Sequence, residues 1–160
     1  MTNINNEIRN NKRLLNHLKY ILDKIQYDSP KYRTCFYLGK IIFFSELQHL
    51  QKYDRLIISS YDTENTGWQY INRKLGAFPL KLNILLNNSE EFYKEGNEYR
   101  SIIKYNRDYL SLSEIKAVDV VCSRIQNYSI KELINRSYFD KVNISTIISY
   151  ADFIDSMPNK

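Results

Sequence analysis

The stretch that most constrains this chain runs from Tyr32 to Leu50. Cys35, Phe36, Leu38, Ile41, Ile42, Phe43, Phe44, Leu47 and Leu50 crowd into it. Apolar residues at that density occupy more than one face of a helix, so the segment predicts a central helix buried nearly all round. Gly39 lies inside it and costs about 1 kcal/mol against alanine in helix propensity. It therefore marks a place where another element comes close. The helix breaks at Tyr53-Asp54-Arg55, and from Gly39 to Leu86 the sequence reads as the architectural hub. Arg55–Ser60 and Trp68–Asn72, rich in β-branched and aromatic residues, predict two strands of an irregular hairpin around the loop Tyr61–Gly67. Leu75-Gly76-Ala77-Phe78-Pro79 predicts a turn, and Pro79 opens a helix that ends at Asn87-Asn88.

On the N-terminal side, Leu14, Leu18, Ile21, Leu22 and Ile25 share one face of a helix. The Asn-rich residues before them are polar, and residues 1–10 are expected to fray. His17 stands beside the apolar face and is expected at the surface or the boundary. Ser29 suits an N-cap and Pro30 the first helical position, where the missing N–H costs nothing. Beyond the hub, Ser89–Asn97 is acidic and polar, with Gly96 as a turn signal. Tyr99–Tyr105 predicts a third strand, which would steady a hairpin that is marginal by itself. Ser111-x-x-Glu114 and Ser129-x-x-Glu132 are capping boxes, each ahead of an apolar helical pattern. A last helix is expected over Ile144–Ile154, capped by Asn143 or Ser145 and ended by Met157-Pro158. The fold class is mainly α (α+β). The expectation is one domain over residues 1–160, a helical bundle with a small antiparallel β-hairpin or three-stranded sheet.

A chain of 160 residues fits one domain. Its 14 Tyr, 7 Phe and few Gly and Pro speak against disorder. The net charge of +5 divides into +4 for residues 1–50, +2 for 51–107 and −1 for 108–160. That excess is mild and spread out, so a solvated surface is read ahead of a nucleic-acid stripe. Cys35 and Cys122 lie in helix-like apolar patterns and read as buried free thiols. No apolar run reaches the roughly 18 to 20 residues of a membrane span, and Met1–Leu15 lacks the apolar core of a signal peptide. A cytoplasmic protein without membrane contact is expected.

The search for chemistry returns little. The four Gly are too scattered for a phosphate loop. Two His and two Cys without ligand spacing speak against a metal, and no cofactor is expected. Glu46 and His49 are three apart and face each other on a helix; a surface or interhelix hydrogen bond is read ahead of an acid–base pair. Asp119 reads as solvent-exposed or as making a helix-packing bond. No catalytic set is legible, so the chain is read as a non-enzyme. The aromatic residues Tyr61, Trp68, Tyr70 and Phe78 are the candidate partner-binding residues. Three readings stay open for them: packing a thin hairpin onto the helices, anchoring a protein interface, or stacking on bases.

Five motifs in order carry a family resemblance. Gly39-Lys40-Ile41-Ile42-Phe43-Phe44-Ser45-Glu46-Leu47-Gln48-His49-Leu50 is similar to a helix of the type KLL-F/Y-F-A-x-x-x-H-L. Tyr53-Asp54-Arg55-Leu56-Ile57 follows as a polar turn and strand, and Leu75-Gly76-Ala77-Phe78-Pro79-Leu80 resembles a Gly-Pro-Val turn into a helix. Leu110-Ser111-Leu112-Ser113-Glu114-Ile115 and Ser129-Ile130-Lys131-Glu132-Leu133 match the later LS-x-x-D/E-I and S-x-x-E-L helix starts. Over roughly residues 10 to 155 the chain thus resembles the SocA-like, or Panacea, antitoxin domain family. It departs where that turn lacks its proline, where Tyr138 stands in place of a His, and where no Trp follows. The resemblance implies a mostly helical domain with a small β element that acts without catalysis. It implies an antitoxin that neutralises a toxin or another effector by direct protein–protein contact. The family also occurs in phages and other mobile elements, which makes an inhibitor of a host defence system the alternative. A nucleic-acid-binding regulator using the basic N-terminal half is a further one.

Overall fold

The computed structural model describes residues 2–25, 30–57 and 67–157, and for residues 2–10 the backbone alone. Among the described residues the fold is mainly helical, with six α-helices and two small antiparallel sheets of two strands each. Helix α1 (Thr2–Lys24) is already helical at Thr2, where fraying was expected. Its apolar face is the expected one, with Leu14, Leu18 and Ile21 fully buried.

Pro30, expected to open the central helix, instead opens a 3-10 turn (Pro30–Arg33), and Ser29 lies outside the described residues; α2 (Cys35–Tyr53), the central helix, begins only after Thr34. Leu38, Ile41, Ile42 and Phe43 have no exposed surface. The helix ends at Tyr53 as expected, with Asp54 in a left-handed conformation (φ 58°) whose N–H bonds the Leu50 carbonyl. Around α2 sit α1, the first hairpin, α4 and α5.

That hairpin is β1 (Tyr70–Arg73) with β2 (Gly76–Pro79), pairing Tyr70 with Pro79 and Arg73 with Gly76. It corrects the expectation of a strand over Arg55–Ser60: Arg55–Ile57 is not a strand, and the rest of that segment lies outside the described residues. The five residues read as a turn are themselves mostly the second strand. Gly39 does mark a close approach, but to this hairpin: a Cβ there would lie 3.2 Å from the Phe78 ring.

Helix α3 (Lys81–Asn88) begins two residues after Pro79 and ends where expected. The second hairpin, β3 (Phe92–Glu95) with β4 (Glu98–Ser101), turns at Gly96-Asn97. The expected three-stranded sheet is therefore two separate hairpins. The acidic stretch supplies β3, because its short Phe92-x-x-Glu95 run pairs across a turn that Gly96 (φ +61°) makes easy.

Helices α4 (Leu112–Arg124) and α5 (Ile130–Ser137) start at the two expected capping boxes, with both reciprocal bonds formed in each. The last helix, α6 (Tyr150–Ser156), starts six residues later than expected, at a third box of Ser149 and Asp152. Asn143–Ile148 is not helical because its backbone is committed to β1. Asn72 N–H bonds Thr146 O, Ser145 N–H bonds Asn72 O, and Ile148 N–H bonds Tyr70 O. The Asn72 side chain, fully buried, donates to Phe139 O and Val142 O at 2.9 Å and accepts from Phe139 N–H. One asparagine thus fastens the C-terminal segment to the hairpin, with every polar atom of its amide used.

The core is one continuous apolar cluster through all these elements. Its middle is aromatic: Phe43 meets Tyr70, Phe139 and Phe153 with ring centroids 5.6 to 5.8 Å apart.

Glycines 76 and 96 make a controlled comparison, because both have positive φ. A Cβ on Gly76 (φ +92°) would lie 2.0 Å from Ser137 Oγ and 2.7 Å from Lys40 Nζ, whereas one on Gly96 would meet nothing within 4 Å. Gly96→Ala should cost about 1 to 2 kcal/mol, the left-handed penalty alone. Gly76→Ala should cost about 3 kcal/mol or more, since backbone strain and overpacking add. Chemical denaturation of the two variants checks this, and equal losses would contradict the packing described.

Candidate functional site

The aromatic residues singled out from the sequence do not form one exposed cluster. Trp68 is 1 % exposed and Tyr70 3 %. A buried ring is not available to a partner in this conformation, so these two are corrected from interface anchors to core residues. Trp68 donates its Nε1–H to His17 Nδ1 at 3.0 Å, and Tyr70 packs edge-on against Phe43 and Phe153. Phe78 is half-buried between Gly39 and the Arg73 guanidinium, which lies 4.9 Å from its ring centroid. Tyr61 lies outside the described residues. The reading that holds is hairpin packing: β1 and β2 lie on α2 and do not protrude from it.

The residues with chemical potential converge instead around the C-terminal half of α2, and they are locked. His17 is fully buried, not at the surface as expected. Because Trp68 donates to Nδ1, the neutral ring carries its proton on Nε2, which has no partner. Burial lowers its pKa to about 3, so it stays neutral. Glu46 is 1 % exposed and accepts the Ile57 N–H at 2.8 Å. Burial raises its pKa to about 7, with Tyr70, Arg13 and Glu114 also acting on it. The Tyr70 hydroxyl faces this carboxyl without a tight hydrogen bond, and burial with the nearby Glu46 charge raises its own pKa.

Glu46 and His49 do not pair, although they are three apart. His49 Nδ1 lies 2.7 Å from the Arg55 carbonyl, which only accepts, so Nδ1 carries the proton. Nε2 then accepts from Ser113 Oγ at 2.8 Å. This resembles half of a nucleophilic triad, but Ser113 Oγ also lies 3.2 Å from the Arg55 guanidinium and 3.0 Å from Ser111 Oγ. With its proton and both lone pairs engaged, the hydroxyl is a staple between the end of α2 and the start of α4. Arg13 completes the network by donating to Ile57 O at 3.0 Å and to Glu114 Oε1 at 2.8 Å, while Glu114 Oε2 closes its capping box.

One residue that sequence reasoning passed over holds a similar post. Lys40 is 3 % exposed, and its ammonium donates to the Leu75 carbonyl and to Ser137 Oγ at 2.7 Å. Burial lowers its pKa to about 8, and no carboxylate answers it among the described residues. A lysine next to Gly39 in an apolar run was the available signal. Asp119 makes the helix-packing bond that was one of its two readings, accepting from the Tyr20 hydroxyl at 2.5 Å. Cys122 is buried, while Cys35 is half-buried and donates to Asn83 Oδ1 at 3.1 Å. Among the described residues no three His, Cys, Asp or Glu side chains converge as metal ligands, and no helix is long and apolar enough to cross a membrane.

Two grooves on the surface of the described residues bear on function. One, of about 350 Å³, lies between α2, α4, α5 and α6. Phe44, Leu47, Val120 and Val121 line it together with Gln48, Gln51, Arg124 and Arg136, and the Arg136 guanidinium sits 4.6 Å over the Tyr128 ring. The other, of about 370 Å³, lies between α1, the 3-10 turn and the second hairpin, and its lining is more polar and basic. No protein-family model, curated protein or solved structure matches this chain. The resemblance described above rests on its motifs alone.

The buried carboxyl gives a testable pH dependence. Glu46 holds its proton more tightly folded (about 7) than an unfolded glutamate near 4.3 does. The folded state therefore binds more protons between those values, and this group's contribution falls as pH rises through the window. Glu46→Gln keeps an acceptor for Ile57 N–H and removes the charge. Relative to wild type it should gain stability at pH 8, by up to about 3 kcal/mol, and lose that gain by about pH 4.5. The opposing titration of His17 is common to both proteins and cancels. Urea midpoints at pH 5 and pH 8 measure this, and a variant-minus-wild-type difference no larger at pH 8 than at pH 5 would refute it.

Proposed function

We propose that this chain is a non-catalytic protein-binding domain, antitoxin-like in action, that neutralises a toxin or other effector by direct contact. The groove between α2, α4, α5 and α6 carries this reading. Its apolar floor would take one or two hydrophobic side chains of a partner segment. Arg124 and Arg136 are exposed at its edge and would pair with acidic residues flanking them. Arg136 is pre-positioned by its stack on Tyr128, which reduces the side-chain entropy lost on binding. The absence of catalysis is supported by the state of the titratable groups at the heart of the fold. Glu46, His49 and His17 are buried, and Ser113 has no bonding capacity to spare. The motif resemblance to the SocA-like family points the same way. A protein partner is thus favoured, through a face that includes the two helices started by the matching capping boxes.

The test is a photo-crosslinking residue at Gln51, on the groove edge, compared with one at Ile84, exposed on α3. In cells of the source the Gln51 position should capture one discrete protein that the Ile84 position does not. That protein, expressed alone, should inhibit growth, and co-expression of the wild-type chain should relieve it. Arg136→Glu is exposed enough to leave the fold intact and should weaken the complex tenfold or more. Equal capture from both positions, or full relief by Arg136→Glu, would overturn the assignment.

A further inference from the structure

The second groove contains a cation that no described residue answers. Arg33 is 4 % exposed, yet its guanidinium makes no hydrogen bond or ion pair with any described residue. A guanidinium that opens on a groove without a partner keeps its donors free for a ligand. Arg33 lines the groove together with Arg100, whose buried Nε has no hydrogen bond and forms only a long ion pair, 3.6 Å, with Glu95 Oε2. Lys104 lies on the same wall, and Lys19, itself 5 % exposed, is already paired with Glu91 at 2.9 Å. Against these stands one lining carboxylate, Asp23, which makes no ion pair with any of them. Two guanidinium groups with unused donors, facing one cavity, are the arrangement that binds phosphate oxygens with charge-assisted hydrogen bonds.

The same cavity has a flat apolar component. Tyr93 is 42 % exposed on its wall, with Ile102 and Ile103 exposed nearby. A volume of about 370 Å³ lies within the usual span of small-ligand sites. A bare anion would use the guanidinium groups and leave the ring idle. We propose that this groove binds a small phosphate monoester carrying a flat ring, a mononucleotide in size and chemistry. Arg33 and Arg100 hold the phosphate and Tyr93 stacks the base. This assignment is independent of the protein-binding groove, which lies on other elements.

Calorimetric titration of the full chain with AMP and with inorganic phosphate tests it. AMP should bind at least tenfold tighter than phosphate, Tyr93→Ala should reduce that preference, and Arg33→Met should weaken AMP binding tenfold or more. The Arg33→Met variant carries its own control. If Arg33 serves a ligand, methionine removes no bond of the fold and Tm should hold; if it serves the fold, Tm should fall. Equal affinity for AMP and phosphate, no binding of either at millimolar concentration, or a lowered Tm with unchanged AMP affinity would overturn the proposal. So would single-stranded octathymidylate binding far more tightly than AMP with a steep salt dependence, which would make the groove a nucleic-acid channel.

Discussion

Everything in this fold depends on α2 being surrounded. A helix packed on all sides gains a large apolar burial, but its polar side chains then have no route to water, and each needs a partner. Lys40, Glu46 and His49 meet that demand with groups outside the helix: the Leu75 carbonyl and Ser137, the Ile57 amide, and Arg55 with Ser113. These bonds decide where the first hairpin, the segment after α2, and the starts of α4 and α5 come to rest. Apolar packing supplies most of the driving force and is tolerant of position. The polar contacts are directional, and they select one arrangement among those that the apolar pattern would allow.

The same constraint shapes the functional reading. An acid, a base and a hydroxyl lie near one another at the end of α2, which is how many active sites look in outline. Their hydrogen bonds, however, run inward to backbone and to one another, so they act as fasteners. Chemistry open to the outside is found in the two grooves, on different elements. One combines an apolar floor with arginines at its edge, and the other combines two arginine guanidinium groups with an exposed tyrosine ring.

Legibility followed the range of the interaction. Ser111/Glu114 and Ser129/Glu132 were legible because both partners of each bond lie within four residues, and the end of α2 at Tyr53 was legible for the same reason. The strand assignments failed where propensity was the only guide. Arg55–Ile57 has β-rich residues but does not pair, and the acidic segment before Gly96 pairs despite its composition. The last helix was placed too early because Ile144, Ile147 and Ile148 have helical spacing. Nothing local announces that Asn72, some seventy residues away, takes up the backbone of that segment. The aromatic residues near the hairpin were rightly seen as important, but whether they face inward or outward is a property of the packing and cannot be read from their types.

The sequence by itself determined the class of fold, the central helix with its C-terminal end, the apolar face of α1 and the starts of α4 and α5. All of these rest on periodicity and on contacts within a turn or two. Only the tertiary structure decided that Trp68 and Tyr70 are core, that His17 is a buried acceptor, that the β residues make two hairpins, and that Arg33 stands unpaired in a groove. The physical reason is common to them all. Burial and hydrogen-bond satisfaction are set by which distant segments meet, and a residue's type states only what it needs, not what it will find.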